Sequence, residues 1–236
     1  MKKTRENILI LGADSGIGNG LFKKFKKNDF EIFASKKKFK KKKIKNFFQF
    51  DYLRDFDNKK KIKKNLKDIK FNYILFLASI TPKSKDINNE KCKFGNLDYN
   101  NFLKIVTVNC YANLKIFEHL QKQNFLNTNA KIVFFSSMAG SIENRGKLKH
   151  NKPFGNIIYR ISKAALNSGI KNLSYDFKNE YTIIAMHPGY VKTKSGGKNA
   201  DYTIEYASQK LYKTIVNLSK EDNGKFLDLK GKKIQW

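Results

Sequence analysis

The sequence predicts an α/β fold, a doubly wound parallel sheet flanked by helices in a single domain. Short apolar runs, which suit strands buried on both faces of a sheet, alternate with segments whose apolar residues recur at helical spacing. The first apolar run, NILILG at residues 7–12, leads directly into a glycine-rich turn. No internal repeat, linker or second apolar unit interrupts the 236 residues, a length that one such domain can fill.

The predicted elements alternate along the chain. Short runs of β-branched, aromatic and leucine residues predict strands at residues 7–12, 30–35, 47–50, 73–79, 131–137, 181–189 and 225–229. Apolar residues three or four positions apart predict helices at residues 17–25, 56–69, 97–123, 155–178 and 202–218. We expect a cofactor-binding half at about residues 1–130 and a catalytic and substrate-binding half at about residues 131–236.

Composition narrows the class of protein. The opening residues MKKTR lead straight into a strand, so no signal peptide is predicted, and the longest apolar run, residues 73–80, is too short to span a bilayer. Two cysteines, Cys92 and Cys110, cannot form a disulfide framework, which favours a reducing cytoplasm. The three histidines are not spaced as metal ligands. We therefore expect a cytoplasmic protein with no metal site and no membrane insertion.

The formal net charge of +29 raises the question of a nucleic-acid partner. The excess comes from lysine, and asparagine, isoleucine and phenylalanine are abundant as well, a joint bias that an AT-rich genome would impose. The densest run, residues 36–45, has no interleaved arginine and no aromatic stacking platform. We expect weak, salt-sensitive adhesion to polyanions but no specific nucleic-acid binding.

Three glycines stand where the first strand becomes the first helix, in the segment LGADSGIGNGL. A diphosphate needs backbone N–H groups at a helix N-terminus and no Cβ between itself and the chain. Gly12 would make the tight turn, Gly16 would allow close approach, and Gly18 would let the helix pack on the strand. The alternative is a plain turn with spare glycines. The position at the first strand-to-helix junction favours a dinucleotide site.

A second motif lies in the segment YRISKAALN, where Tyr159 and Lys163 are four residues apart. Four residues make one helical turn, so the phenol and the ammonium would emerge from the same face of a helix. A solvated helix face is the alternative, because tyrosine and lysine are common in this chain. The surrounding motifs decide in favour of a functional pair.

Taken together, these motifs resemble the short-chain dehydrogenase/reductase family. The matching residues occur in the family's order along essentially the whole chain: Gly12, Gly16, Gly18, Asp51, Asn109, Ser136, Ser137, Gly140, Ser141, Tyr159, Lys163, Pro188, Gly189 and Thr193. The segments SSMAGSIENRG, YRISKAALN, HPGYVKT and GKKIQW and the pair Gly196-Gly197 are most similar to the C-factor-like and Sniffer-like carbonyl reductases. The resemblance implies a Rossmann-type fold and an NADP(H)-dependent oxidoreductase.

The resemblance also implies the catalytic residues. A free tyrosine has a pKa near ~10 and holds its proton too tightly to work near neutrality, so Tyr159 would need the Lys163 cation to lower that pKa. Lys163 would also bind the nicotinamide ribose. Ser137 would stabilise charge on the substrate oxygen, with Ser136 as the competing assignment. Asn109 would hold a water of the proton relay, or else be a helix residue bonded to backbone.

The remaining predicted contacts are with the cofactor. Asp51 would meet the adenine amino group or serve as a turn or N-cap residue, and Thr193 would contact the carboxamide or the phosphates. The second strand ends at Ser35 and runs into Lys36 and Lys37, with no carboxylate for a ribose 2′-OH, so NADP(H) is predicted over NAD. The other predicted cofactor contacts are Asp14, Ser15, Ile17, Tyr52, Ala78, Pro188, Gly189 and Val191.

Three departures from the family pattern weaken the match at the cofactor site. Leu11 replaces the usual threonine before Gly12, and Asp14 brings an acidic side chain near the expected diphosphate. The family's Asn-Asn-Ala-Gly is Phe-Leu-Ala-Ser here, residues 76–79. We expect these departures to leave the catalytic residues untouched.

The predicted function is reduction of an aldehyde or ketone to an alcohol, or the reverse reaction. The alternative is a nucleotide-binding signalling or regulatory protein, because the name C-factor, which the resemblance brings in, belongs to intercellular signalling. His187 is predicted to be structural, and residues 194–202 are expected to form a substrate lid. Relatives commonly pair through their two long helices, so a homodimer is expected, with a tetramer as the alternative.

Overall fold

A computed structural model describes residues 5–14, 16–37, 46–67, 69–82, 84, 87–147 and 156–236. The strands are β1 (Asn7–Leu11), β2 (Glu31–Lys36), β3 (Phe47–Gln49), β4 (Phe71–Phe76), β5 (Leu126–Phe135), β6 (Thr182–His187) and β7 (Phe226–Asp228). They form one parallel sheet in the order β3-β2-β1-β4-β5-β6-β7. The predicted doubly wound parallel sheet is confirmed.

The helices connect the strands on both faces of the sheet. They are α1 (Gly16–Lys27), α2 (Tyr52–Asp55), α3 (Lys59–Leu66), α4 (Tyr99–Val106), α5 (Ala112–Lys122), α6 (Ile157–Asp176) and α7 (Ile204–Val216). Single 3₁₀ turns occur at Glu90–Cys92, Met138–Gly140 and Lys220–Asp222, and a π-helical segment, Thr107–Tyr111, joins α4 to α5. None of the helices in these ranges is long and apolar enough to cross a membrane.

The core has two layers because the sheet is apolar on both faces. On one face Leu21 and Phe25 of α1 pack with Leu211 of α7. On the other face Phe117 of α5 and Ile170 of α6 pack with residues of α3 and the strands. Each buried aliphatic side chain stabilises the fold by roughly 1.5–3 kcal/mol relative to exposure, so the continuous apolar strands fix the sheet between the helix layers.

The order in which successive strands are added to the parallel sheet reverses at β1. β2 pairs with one edge of β1 and β4 with the other, so the loops that follow β1 and β4 diverge and leave a crevice at the carboxyl ends of the strands. In open α/β sheets this switch point is where ligands bind.

Three predicted elements differ from the structure. β5 begins five residues earlier than the predicted strand at residue 131, because the polar segment 126–130 continues the pairing beside Phe71 after a register shift. The predicted helix at residues 97–123 is interrupted by the π-helical segment. β4 ends at Phe76, so residues 77–79, predicted as strand, form a loop over the crevice instead.

Candidate active site

A cleft of about 260 Å³ lies at the switch point of the sheet. It is lined by Gly12, Asp14, Ser35, Lys37, Phe50, Asp51, Tyr52, Leu53, Leu77, Ala78, Ser79, Ile80 and Val108. These residues follow β1, β2, β3 and β4 in turn, so the carboxyl ends of four neighbouring strands build it. Many of the residues that the sequence predicted for the cofactor therefore lie together.

Gly12 makes the turn that opens the cleft. Its φ is +97°, and a Cβ added there would lie 2.7 Å from the Ala78 backbone nitrogen, so any other residue would clash with the loop after β4. The Gly12 N–H donates to the Ser35 hydroxyl at 3.0 Å, and the Ala13 N–H donates to the Ser35 carbonyl at 2.9 Å. The buried Ser35 hydroxyl thus ties the turn from β2, although Leu11 has replaced the threonine expected to do so.

The N-terminus of α1 follows this turn. Gly16 is the first helical residue, Gly18 is buried, and Ile17 packs at the edge of the core. A Cβ on Gly16 would lie 2.9 Å from the Thr193 methyl group, so the segment after β6 lies directly over the glycine turn. Ser15, a predicted cofactor contact, lies outside the described residues.

The end of β2 separates the two predicted phosphate-binding lysines. The exposed Asp14 carboxylate accepts the Lys37 backbone N–H at 3.1 Å, which holds the end of β2 against the glycine turn. The Lys37 ammonium lies 4.0 Å from the Asp51 carboxylate and lines the cleft. The Lys36 ammonium instead lies 4.5 Å from the centre of the Phe47 ring. Lys37 therefore faces the cleft, and Lys36 packs outside it.

Asp51 and Tyr52 form the far wall of the cleft. Asp51 caps α2, accepting the Leu53 N–H at 3.0 Å, and its carboxylate lies 3.5 Å from Nε of Arg54. The N-cap role considered from the sequence is thus observed. The buried Tyr52 hydroxyl has no hydrogen-bond partner among the described residues, and burial raises its pKa well above the ordinary value, with the Asp14 carboxylate adding to the rise.

The predicted catalytic residues Ser137, Tyr159 and Lys163 lie where β5 and α6 approach closely. A Cβ on Gly140 would lie 2.7 Å from the backbone of Lys163, so only glycine lets α6 come this near to the end of β5. Asn167 on α6 donates to the Gly140 carbonyl at 3.1 Å and accepts the Ser136 hydroxyl at 2.5 Å. These contacts fix α6 against β5.

The same contacts separate the two candidate serines. Ser136 is buried, and its hydroxyl donates a hydrogen bond to Oδ1 of Asn167. Ser137, with extended backbone at φ −151°, accepts the Ala139 N–H at 3.1 Å. Of the two serines, Ser137 is the one that acts on Tyr159, whose pKa it helps to lower.

Tyr159 presents its hydroxyl to two serines, Ser137 and Ser79. Burial raises the pKa of Tyr159 above its ordinary value, and the hydrogen bonds from both hydroxyls act against that rise. The groups that lower the pKa of this phenol in the structure are therefore hydroxyls. The lowering by Lys163 that the sequence predicted stays a prediction.

Lys163 is one helical turn from Tyr159 and is buried, with 2% of its surface exposed. Its ammonium donates to the Phe135 carbonyl at 2.9 Å and lies 6.0 Å from the centre of the Tyr159 ring. Burial lowers the pKa of Lys163 to about 8, and the nearby Cys110 thiol acts in the opposite direction. A cation held so near its pKa at neutral pH can change charge in the range where a proton relay operates.

Asn109 lies in the π-helical segment and is fully buried. Its Oδ1 accepts from the Ile80 N–H at 2.7 Å and the Ser79 hydroxyl at 3.0 Å. Its Nδ2 donates to the Ile80 carbonyl at 2.8 Å and the Ser162 hydroxyl at 3.0 Å. All four positions of the amide are thus filled by protein groups. The alternative considered from the sequence, a helix residue bonded to backbone, is thus observed, and the side chain fixes the loop after β4. The water-holding role stays a prediction.

Sequence reasoning missed Ser79. Its hydroxyl donates to Oδ1 of Asn109 at 3.0 Å, and the Ser162 hydroxyl accepts from Asn109 and donates to the Tyr159 carbonyl at 2.7 Å. Asn109 therefore links the loop after β4 to the backbone of Tyr159 on α6. The expectation that the departure at residues 76–79 leaves the catalytic residues untouched is wrong. The available signal was a hydroxyl-bearing residue at the last position of the altered motif.

The segment after β6 lies against the glycine turn through Thr193 and against the loop after β4 through Ser195. Gly189, which follows the end of β6, has φ +82°, and Val191 forms a parallel bridge with Tyr202. Thr193 Oγ1 accepts the Gly196 N–H at 3.1 Å. The Thr81 hydroxyl donates to the Ser195 hydroxyl at 3.3 Å, which links the loop after β4 to the predicted lid across the cleft.

His187 supports the end of β5 from the neighbouring strand. Its Nδ1 accepts the Met138 N–H at 3.4 Å, next to Ser137, and burial lowers its pKa to about 4. The ring is therefore neutral near pH 7, in keeping with the structural role predicted for it. Among the residues that the structure describes, no cluster of three or more His, Cys, Asp or Glu side chains could hold a metal ion.

The sequence and the fold have known relatives. A model of the short chain dehydrogenase family matches residues 6–202. C-signal of Myxococcus xanthus is 27% identical over 146 residues, which cover 61% of this chain and 84% of that protein. A 1-hydroxy-2-glutathionyl-2-methyl-3-butene dehydrogenase of Rhodococcus sp. (strain AD45) is 33% identical over 147 residues, covering 60% of this chain and 62%, less than two thirds, of that protein.

Solved structures cover almost the whole chain. The carbonyl reductase Sniffer of D. melanogaster has a TM-score of 0.81 and 24% identity over 99% of this chain and 100% of that one. An NADPH-bound carbonyl reductase from chicken fatty liver has a TM-score of 0.80 and 24% identity, with the same coverage. At these identities the likeness establishes the fold.

Proposed function

The chain belongs to the short-chain dehydrogenase family, and we propose that it is an NADP(H)-dependent oxidoreductase that reduces a carbonyl to an alcohol or catalyses the reverse reaction. One observation carries the proposal most strongly. Ser137 acts to lower the pKa of Tyr159, and Tyr159 lies one helical turn from a buried Lys163 whose pKa is lowered to about 8 and whose ammonium is 6.0 Å from the centre of the Tyr159 ring. A proton donor, an oxyanion-stabilising hydroxyl and a titratable cation thus share one site.

The family resemblance and the Gly12 turn imply a nicotinamide dinucleotide, and the residues present fit one. Gly12 keeps the space beside the Ala78 backbone free of any Cβ, and the N-terminus of α1 supplies backbone N–H groups for a diphosphate. When bound, this cofactor supplies or accepts a hydride at the substrate carbon. Pro188, Val191 and Thr193, which follow β6, would hold its nicotinamide end, and Asp51 its adenine end.

The protein's own residues would handle the proton. In reduction Tyr159 gives its phenolic proton to the substrate oxygen, while the Ser137 hydroxyl donates to the same oxygen as charge develops there. Lys163 supplies positive charge beside the resulting phenolate, which offsets the penalty that burial places on that anion. Asn109 holds the loop after β4 in position. The reverse reaction uses the same groups in the opposite order.

The preference for NADP(H) is supported by the end of β2. No carboxylate follows Ser35, and the Lys37 ammonium lines the cleft within 4.0 Å of Asp51, where a 2′-phosphate would gain a charge-assisted hydrogen bond. The chicken fatty liver reductase named above binds NADPH, which agrees with this preference. NAD is the alternative cofactor.

A nucleotide-binding signalling protein without turnover is the competing function, and similarity to C-signal keeps it in view. A binding protein has no physical need for a buried phenol held between two serine hydroxyls beside a buried ammonium. We therefore favour the enzyme. The physiological substrate would be a small carbonyl compound or alcohol.

A homodimer is proposed from the exposed apolar residues on the long helices. Leu103 and Tyr111 near α4 and α5, and Ile161 on α6, have 42%, 52% and 42% of their surface exposed. Light scattering at physiological salt should give twice the 27.4 kDa chain mass. A species of single-chain mass would exclude the dimer. With both cysteines buried and unpaired, the cytoplasm is the proposed location.

The test of the function is NADPH oxidation by the purified protein with a panel of aldehydes, ketones and quinones. Turnover of at least one carbonyl, lost in Tyr159→Phe, is the expected result. Tight NADPH binding with no turnover of any member, in either direction, would favour the signalling function instead.

A further inference from the structure

Three hydrogen bonds join the turn after β1 to the end of β2, where the pairing of the two strands stops. The Gly12 N–H donates to the Ser35 hydroxyl at 3.0 Å, and the Ala13 N–H donates to the Ser35 carbonyl at 2.9 Å. The Lys37 N–H donates to the Asp14 carboxylate at 3.1 Å. We call these five residues the β1–β2 clamp, because together they hold the glycine turn against the neighbouring strand.

The hydroxyl of the clamp comes from β2. Leu11, the residue before the turn, pairs with Ser35 in the sheet, and its apolar side chain is buried in the core. Such a side chain cannot accept an N–H. Gly12 is itself buried, and a buried N–H that loses an acceptor costs free energy. The Ser35 hydroxyl therefore does for this turn what the side chain at residue 11 cannot do.

The clamp also sets where α1 begins. On its other side the turn lies against the loop after β4, because a Cβ on Gly12 would lie 2.7 Å from the Ala78 nitrogen. The turn is thus held between Ser35 and Ala78. Gly16 is the first residue of α1, whose N-terminal N–H groups would face a cofactor diphosphate. A shift of the turn would move those N–H groups with it.

The surroundings of Ser35 distinguish two roles for its hydroxyl. A hydroxyl that binds a ribose 2′-phosphate must reach into the open part of the cleft, as the half-exposed Lys37 side chain does. Ser35 has only 1% of its surface exposed, and its hydroxyl already accepts the Gly12 N–H. The charge that faces a 2′-phosphate therefore belongs to Lys37, whereas Ser35 shapes the turn.

We propose that Ser35 is a positioning residue for the cofactor diphosphate, acting through the Gly12 turn, and is not a ligand of the 2′-phosphate. The proposal rests on the nicotinamide dinucleotide of the proposed function. NADPH and NADH share the diphosphate and differ in the 2′-phosphate. Loss of a positioning hydroxyl therefore weakens the binding of both cofactors equally, whereas loss of a 2′-phosphate contact weakens the binding of NADPH alone.

The first test is the affinity of Ser35→Ala and Ser35→Thr for each cofactor, measured by fluorescence titration at fixed salt. Ser174→Ala is the matched control, because Ser174 is also buried and its hydroxyl donates to the Lys171 carbonyl at 2.7 Å near the C-terminal end of α6. We expect Kd to rise about fivefold for both NADPH and NADH in Ser35→Ala. It should stay within about twofold of native in Ser35→Thr, which retains a hydroxyl, and in Ser174→Ala.

Lys37→Glu gives the contrasting pattern, because it changes a charge in the same cleft and should weaken the binding of NADPH alone. If Ser35→Ala behaved like Lys37→Glu, Ser35 would be a 2′-phosphate ligand and the proposal would be wrong. Native affinity of Ser35→Ala for both cofactors, or the same loss in Ser174→Ala, would also overturn it.

The second test needs no cofactor. In the ¹⁵N-labelled protein the Gly12 amide should exchange with deuterated water about tenfold faster in Ser35→Ala than in the native protein, because its N–H has lost an acceptor. The Leu9 amide, in the middle of β1, is the internal reference for global unfolding. An unchanged Gly12 rate, or an equal rise at Leu9, would overturn the proposal. A native protein that binds neither NADPH nor NADH would refute the proposed function and the cofactor role of Ser35 with it, whereas faster Gly12 exchange would still retain the clamp.

Discussion

At the catalytic end of the cleft (Ser79, Asn109, Ser137, Tyr159 and Lys163), Asn109 is fully buried and uses every polar position of its amide. At the adenosine end (Asp14, Lys37, Asp51 and Tyr52), the Lys37 and Asp51 side chains meet at 4.0 Å with Lys37 half exposed, and the buried Tyr52 hydroxyl has no partner among the described residues. The hydrogen bonds of Asn109 at the first end are buried and saturated, whereas the Lys37–Asp51 pair at the other end is partly exposed and screened by solvent.

The difference has a physical reason. Proton transfer needs atoms held within hydrogen-bonding distance before the reaction starts, and buried, fully satisfied polar groups provide that rigidity. Recognition of a charged phosphate needs only that positive charge be near, which exposed lysines supply at little structural cost. We therefore expect substitutions at the catalytic end to affect rate, and substitutions at the adenosine end to affect affinity and its dependence on salt.

Tyr159→Phe should give the largest effect. It removes the transferable proton and little volume, so kcat should fall by at least ~1000-fold. NADPH affinity should stay within about twofold, because the lost hydroxyl contacts Ser79 and Ser137 at the catalytic end. NADPH oxidation and fluorescence titration measure the two quantities. Tyr175→Phe, an exposed tyrosine on the same helix, is the control, and near-native rates in Tyr159→Phe would show that the catalytic assignment is wrong.

Lys37→Glu should give the largest effect on NADPH affinity. The substitution places a negative charge beside Asp51 in the cleft and should weaken NADPH binding about tenfold, or about 1.4 kcal/mol. Lys36→Glu is the matched control, because its charge change is the same but its ammonium lies over Phe47. Titrations at low and high salt should show the Lys37 effect shrinking as salt rises. Equal losses in both variants would mean that only net charge matters.

Lys163→Met tests the catalytic end through the pH dependence of the free energy of unfolding. The folded pKa of Lys163, about 8, lies below its ordinary value of 10.5, so the buried charge destabilises the fold most fully below pH 8. That cost fades as pH rises from 8 to 10.5. The variant should therefore unfold with a free energy about 3 kcal/mol higher at pH 7, with the gain gone near pH 10.5. Thermal unfolding across this range measures it, and a pH-independent difference would contradict the cause.

Tyr52→Phe should give the smallest effect. Removing a buried hydroxyl that lacks a partner should raise the free energy of unfolding by about 0.5–1 kcal/mol, whereas the same change at the exposed Tyr175 should be neutral. Urea unfolding of the two variants makes the comparison. A loss of stability in Tyr52→Phe would mean that the adenosine end is as well satisfied as the catalytic end.

The family could be predicted from the sequence because the resemblance depended on residues whose spacing is set within short segments of the chain. The glycine turn, the tyrosine and lysine one turn apart, and the strand-ending serine pair each follow from backbone geometry within a short segment. The predicted family is confirmed, C-signal is among the proteins of similar sequence, and Sniffer shares the fold. The roles of the individual site residues stay predictions.

Local pattern alone determined the apolar strands, their order along the chain and the fold class, since burial on both faces requires continuous apolar runs. Only the tertiary structure decided which polar atoms meet. Ser79, in the loop after β4, donates to Asn109, 30 residues further along the chain, and Asn109 is placed there by a π-helical segment that apolar periodicity does not reveal. Likewise Lys36 and Lys37 are neighbours in sequence, but the alternation of side chains along β2 sends one over Phe47 and the other into the cleft. Hydrogen bonds and charges act over a few ångströms in space, so their pairing is set by the fold and not by distance along the chain.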